Sequence, residues 1–198
     1  MLAAQASTNS IITASPNHNF SLLDPTDGAH FVIEYDVNPC EPASTVDQNE
    51  WAAIVFGSST QTASVNSSDG VGFLIRGNGG YQVFDGSALK ASGDLGDDFG
   101  IDEADWYHVR VNYFISSFGE ADPALAAIFV DDQLIYDFQT AGGVAGNTIN
   151  FVGYGPQGYY THHGFDNLEV WSSYVPEPAS LALLGGGILA LLRRRRKA

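Results

Sequence analysis

The sequence predicts an all-β fold, an antiparallel β-sandwich followed by a C-terminal transmembrane helix. Three observations lead there. Short runs of β-branched and aromatic residues are separated by Gly, Asp, Asn, Ser and Pro. Several of these runs alternate apolar and polar residues, the period of a half-buried strand. Heptads, long 3.6-residue periodicity and fixed repeats are all missing from the body of the chain.

The predicted strands, in order, are His30–Val37, Trp51–Gly57, Val71–Arg76, Tyr81–Phe84, Trp106–Ser116, Ala126–Val130, Gln133–Phe138, Thr148–Tyr154 and Phe165–Trp171. In the first, Phe31, Ile33, Tyr35 and Val37 share an apolar face while Glu34 and Asp36 point away. In the fifth, Trp106, His108, Arg110 and Asn112 share one face, and Tyr107, Val109, Val111 and Tyr113 the other. Gly77-Asn-Gly-Gly lies between two strands and reads as a hairpin turn rather than a phosphate loop. Asp131-Asp132 reads as a tight hairpin turn. Gly153 to Gly164 reads as a long loop rich in Tyr and His.

The 198 residues suit one domain plus a short appendage. Hydrophobic residues make up 44%, enough for a real core. The charge is unevenly placed. All 23 acids precede Arg193, whereas of the cations only Arg76, Lys90 and Arg110 do, so that stretch carries −20. A body this acidic repels phosphate backbones, which argues against a nucleic-acid partner. Cys40 is the single cysteine, so no disulfide can form within the chain; it reads as a small buried filler.

The C-terminus has three parts in a telling order. Val175, Pro176, Glu177 and Pro178 form a stiff, extended segment, because proline fixes φ and biases its predecessor. Residues 179–192 follow, uncharged, with Ser180 as the one polar side chain. As a helix they span roughly 21 Å, short of the bilayer's hydrocarbon thickness of about 30 Å. Arg193, Arg194, Arg195, Arg196 and Lys197 close the run; they hold the tip on the cytoplasmic side. Snorkelling arginines and local thinning of the bilayer make up part of the missing length.

This order resembles the PEP-CTERM sorting signal. The resemblance implies a bacterial protein recognised by exosortase, a membrane cysteine transpeptidase, and cleaved near Pro176-Glu177-Pro178. It also implies delivery to the cell surface or extracellular matrix. Such proteins begin with a signal peptide, yet Met1-Leu-Ala-Ala-Gln-Ala lacks a basic start and an apolar stretch of roughly 7–15 residues. Ala4-Gln5-Ala6 fits a small-x-small cleavage pattern. Residues 1–19 therefore read as the remnant of a signal peptide whose front lies upstream, or as a chance Ala-rich stretch. The domain layout is 1–19, a sandwich at 20–173 and the tail at 174–198.

The body carries a second resemblance. Trp106-Tyr-His-Val-Arg-Val, Ala127-Ile-Phe-Val-Asp-Asp-Gln-Leu-Ile-Tyr, Asn150-Phe-Val-Gly-Tyr and Gly164-Phe-Asp-Asn-Leu-Glu-Val-Trp look like the strands of a concanavalin A-like, laminin-G-like jelly roll. Asp132 stands where that family has Gly, which leaves the turn type open. The fold hosts lectins, adhesion modules and hydrolases alike.

Laminarinase-type enzymes on this fold use a Glu-x-Asp-x-x-Glu strand. Here Glu34-Tyr35-Asp36 is followed by Pro39 in place of the second Glu, so the motif is absent. Asp94, Asp97, Asp98, Asp102, Glu103 and Asp105 crowd one Gly-rich stretch and offer hard oxygen ligands for Ca²⁺, but without the spacing of an Asp-x-Asp-x-Asp-Gly loop. A solvated acidic loop is the plainer account. Tyr159, Tyr160, His162 and His163 are the candidate ligand-binding residues, because aromatic rings with polar tips suit sugars. The leading expectation is a noncatalytic, carbohydrate-binding or adhesive surface module with extracellular polysaccharide as partner. The second is a matrix component without a specific ligand. The third, a glycan hydrolase, is weighed against by the missing glutamate.

Overall fold

The computed structural model describes residues 2–6, 11–14, 29–39, 50–58, 64–66, 69–102, 106–115, 123–141, 148–154 and 161–174. Its strands are β1 (Leu2–Ala6), β2 (Ile11–Ala14), β3 (Ala29–Asn38), β4 (Trp51–Ser58), β5 (Val71–Arg76), β6 (Gly80–Asp85) and β7 (Ala88–Asp94). After the short helix α1 (Leu95–Phe99) come β8 (Tyr107–Ile115), β9 (Leu125–Val130), β10 (Gln133–Gln139), β11 (Thr148–Tyr154) and β12 (Thr161–Tyr174). They form two six-stranded sheets. The first runs β1-β12-β3-β8-β9-β10 and the second β2-β11-β4-β5-β6-β7. Neighbours pair antiparallel throughout.

The alternation read from sequence becomes the packing. Phe31, Ile33, Tyr35 and Val37 of β3, with Tyr107, Val109, Val111 and Tyr113 of β8, point inward. They meet Ile54, Phe56, Phe73, Ile75, Val83 and Phe151 from the second sheet. Aromatic edges lock the layers together: Tyr35 on Phe151 at 5.5 Å and Phe56 on Tyr113 at 4.9 Å between ring centroids.

All nine predicted runs are strands, with ends shifted by a few residues. Trp106 falls just before β8 rather than inside it. Four elements were not predicted. β1 and β2 come from the segment assigned to a signal-peptide remnant, and each extends one sheet at its edge. β7 is mostly small, exposed residues, so it has no burial pattern to read; the turn at Gly86 and pairing to β6 create it. α1 grows out of the acidic stretch. Asp94 caps it by accepting from the N–H groups of Gly96 and Asp97, and Gly100 ends it at φ 69°. The presumed long loop is shorter than expected, since Gly153 and Tyr154 belong to β11 and Thr161–Gly164 to β12.

Both proposed turns are turns. Gly77–Gly79 joins β5 to β6, with Gly79 at φ 80° donating to the Arg76 carbonyl. Asp131 and Asp132 have φ of 47° and 65°. Positive φ at both central residues is the type I′ signature, so Asp takes up the twist that Gly usually supplies.

The two outer faces differ. On the second sheet, Ala53, Val55, Leu74, Phe84 and Val152 gather with Val65 into a second buried cluster. The segment at 64–66 lies so close that a Cβ on Gly72 would meet the Val65 carbonyl oxygen at 2.0 Å. The centre of that face is covered. The outer face of the first sheet keeps exposed and half-buried side chains along β3, β8 and β9. Cys40 and the tail lie outside the described residues; among the described residues, no helix is long and apolar enough to cross a membrane.

The buried tyrosines set an alkaline limit. Burial pushes the Tyr35 hydroxyl well above its ordinary range, and burial plus the nearby Asp85 carboxylate does the same for Tyr113. Raised folded values mean that their contribution to stability is complete below about pH 10 and is lost as pH rises above it, because the unfolded chain ionises first. In an alkaline titration these two tyrosines should give no tyrosinate absorbance until the circular-dichroism signal collapses. Full tyrosine ionisation with an intact fold would contradict this packing.

Candidate functional site

The open face of the first sheet carries most of its polar side chains at one end. Strand register fixes which ones meet. Asp36 of β3 lies between Asp166 of β12 and His108 of β8. Glu34 lies between Glu169 and Arg110 in the same way. Each row thus reads acid, acid, base across three strands. Like charges directly opposite destabilise a sheet, so the bases on the far side offset a repulsion that the register imposes.

The contacts bear this out. His108 Nδ1 sits 2.8 Å from Asp36 Oδ1, and its Nε2 3.8 Å from Glu34 Oε2. Arg110 Nη1 lies 4.0 Å from Glu34 and 3.3 Å from Asp132 of the hairpin turn. Its guanidinium stacks 4.4 Å over the Phe129 ring. Asp131 of the same turn accepts from the His108 backbone N–H at 3.0 Å. A register shift in β12 between Asp166 and Glu169 places Asn167 at φ 51°. Its side-chain amide donates to Asp36, and its backbone N–H donates to Asp166 at 3.0 Å. That backbone donor holds the Asp166 carboxyl below its usual range.

Trp106 completes the group. It lies one residue before β8, on the same face as His108, and is 38% exposed. Its indole rests on the backbone of Gly164, where a Cβ would meet the ring at 2.5 Å. The missing Cβ at position 164 is what permits this close approach of the ring. The result is a flat, half-exposed aromatic surface beside fixed donors and acceptors. Such a surface can stack a sugar ring and hydrogen-bond its hydroxyls.

The candidates read from sequence fall partly here. Tyr159 and Tyr160 lie outside the described residues. His162 and His163 are backbone neighbours of Gly164 at the start of β12, where they pair with Gln5 and Ala4. Their positions adjoin the Trp106 platform. The acidic stretch does other work: Asp94 caps α1, and Asp98 accepts from the Asp94 N–H at 3.0 Å. Glu103 and Asp105 are outside the described residues. Among the described residues, no three His, Cys, Asp or Glu side chains are placed to hold a metal ion. Trp106, Asp36 and Asn167 were not singled out as site residues. A tryptophan on the polar face of an alternating strand was the available signal, with a glycine inside a strand as its counterpart.

The two six-stranded sheets make the chain a jelly-roll-like antiparallel β-sandwich. It is similar to the carbohydrate-binding module CBM66 from Bacillus subtilis, at 15% identity over 85% of this chain and 91% of that one, with a TM-score of 0.50. The potassium-bound carbohydrate recognition domain of Emp46p matches at 10% identity over 83% and 79%, with a TM-score of 0.52. The alginate lyase vAL-1 from Chlorella virus matches at 12% identity over 86% and 84%, with a TM-score of 0.50. At these identities the likeness establishes the fold alone. No curated protein matches the sequence. Residues 175–197 match the PEP-CTERM protein-sorting motif, which marks this as an exported, cell-envelope-associated protein.

Gly164→Ala tests the platform without touching a polar group. The added methyl should lift the indole, so tryptophan emission shifts to the red while stability falls by only about 0.5–1 kcal/mol. Unchanged emission would mean that the ring does not rest on Gly164 in solution.

Proposed function

We propose that the body is a noncatalytic glycan-binding module and that Trp106 is its stacking platform. The observation that carries this is the half-exposed indole packed closely on Gly164 beside the Asp36–His108–Asn167 network. Rigid aromatic area with anchored polar neighbours is what sugar recognition needs. The strand positions of His162 and His163 extend the same end of the sandwich into a longer binding edge. The likeness to a carbohydrate-binding module and to a carbohydrate recognition domain accords with this reading.

The charge of the site selects among glycans. Glu34, Asp36, Asp132, Asp166 and Glu169 outnumber Arg110 and His108, on a body of net −20. Neutral polysaccharide meets no penalty there, whereas a uronate chain meets repulsion. Trp106→Ala should weaken retention on neutral polysaccharide about tenfold, a loss of about 1.4 kcal/mol, while the melting temperature barely moves. Uronate polymer should be retained poorly by both proteins. Equal retention of wild type and Trp106→Ala on the neutral polymer would remove this site from consideration.

For the tail, the reading is recognition by exosortase, with residues 179–192 crossing the membrane before cleavage near Pro176-Glu177-Pro178. Intact-mass analysis of protein released from the cell surface should find a C-terminus near Pro178. A C-terminus that keeps Arg193 to Arg196 would instead make the tail a resident anchor.

A further inference from the structure

The first sheet has a second end, opposite the Trp106 site, where exposed apolar side chains stand among a few polar ones on its outer face. Cross-strand pairing places Ser173, His30, Phe114, Leu125 and Gln139 in one row. Phe114 is 44% exposed and Leu125 54%. The His30 ring stacks on Phe114 at 4.3 Å and 1° between planes, and burial lowers the pKa of that histidine, so it adds apolar surface rather than charge. Phe114, Leu125 and Phe138 line an open groove of about 280 Å³, together with Ala126, Ala127, Asp137 and Gln139. The Asp85–Ala88 turn of the second sheet comes to the same end, because Asp85 accepts from the Ala141 N–H just beyond β10. Lys90, one of three cations before the basic cluster, lies 5.6 Å from the Phe138 ring.

The tail leaves from this end. β12 finishes at Tyr174, paired with Ala29, and Ser173 belongs to the row that holds Phe114 and Leu125. Only residues 175–178 separate Tyr174 from the apolar stretch at 179–192. Fully extended, that connection reaches about 17 Å. Strands are spaced by about 4.8 Å, so Leu125 lies about 14 Å from Ser173 across the sheet. A bilayer that holds the apolar stretch is therefore within reach of this face.

We propose that, before the tail is cleaved, the end of the sandwich carrying His30, Phe114, Leu125 and Phe138 lies against the lipid surface. Exposed apolar side chains suit the boundary between headgroups and acyl chains, and Lys90 beside them is offset by Asp85 at 4.0 Å. The Trp106 end then points away from the membrane, about 30 Å further out along β3. This inference rests on the reading of 179–192 as a membrane span. It adds how the exported domain stands on the membrane.

The test uses the uncleaved full-length protein in vesicles of phosphatidylcholine and phosphatidylglycerol that carry quenchers at both headgroup and acyl-chain depth. In a Cys40→Ser background, Leu125→Cys, Asp132→Cys and Gly186→Cys variants each receive one fluorophore. Labels at 186 and 125 should be quenched several-fold more than the label at 132. Quenching at 186 alone would overturn the proposal while leaving the span intact. Equal quenching at 125 and 132 would also overturn it, because the domain would then lie on its side. Absence of quenching at 186 would remove the span, and this inference with it. Thermal melts of each labelled variant, matched to the parent, confirm that the fold is kept.

Discussion

Everything in this molecule hangs on the register of β3 between β12 and β8. The strand alternates without a break: Phe31, Ile33, Tyr35 and Val37 inward, Glu34 and Asp36 outward. A slip of one residue would turn both carboxylates into the core and the aromatic side chains into water. Burying an unpaired carboxylate costs far more than a lost strand pair, so the register has no close competitor. Once β3 is set, Arg110 and His108 fall opposite Glu34 and Asp36 on one side, and Glu169 and Asp166 on the other. Core and polar face are thus two consequences of one alternation.

The same logic explains how much was legible in the sequence. Strands with a burial pattern could be read, because half-burial writes its period into the residues. β7 could not, since its residues are small and mostly exposed and pairing alone makes it a strand. β1 and β2 sit at sheet edges, where pairing to β12 and β11 rather than composition decides. The site was half legible. The face shared by Trp106, His108 and Arg110 could be written down from the alternation. What joins it to Gly164, Asp166 and Asn167 is the β12–β3 pairing, which brings together residues more than a hundred positions apart. No local pattern encodes that contact. The acidic stretch reads as a solvated loop because the helix that Asp94 caps is too short to announce itself by period.

Charge placement reinforces the division of the first sheet into two ends. Besides the basic tail, the chain has three cations, and each is held in a definite place. Arg110 balances the acids beside the Trp106 platform. Arg76 reaches Gln82 on the second sheet. Lys90 lies by Asp85 and Phe138 at the apolar end. With so few positive groups available, two of the three stand at the two ends of the sandwich that differ most in surface chemistry.

The two ends also differ in what holds them. At the Trp106 end, side chains from β3, β8 and β12 and the Asp131–Asp132 turn restrain one another through ion pairs and hydrogen bonds, which fixes rotamers and lowers the entropy lost when a ligand binds. At the Tyr174 end, Phe114 and Leu125 have a stacked neighbour and a cross-strand neighbour but no polar restraint on their tips. Such a surface suits a fluid, undirected partner. A preorganised polar site suits a ligand with a fixed pattern of hydroxyls. Because an antiparallel strand carries its two ends to opposite sides of the domain, β3 separates these two kinds of surface by its own length. A tail attached at one end leaves the other free to face the exterior.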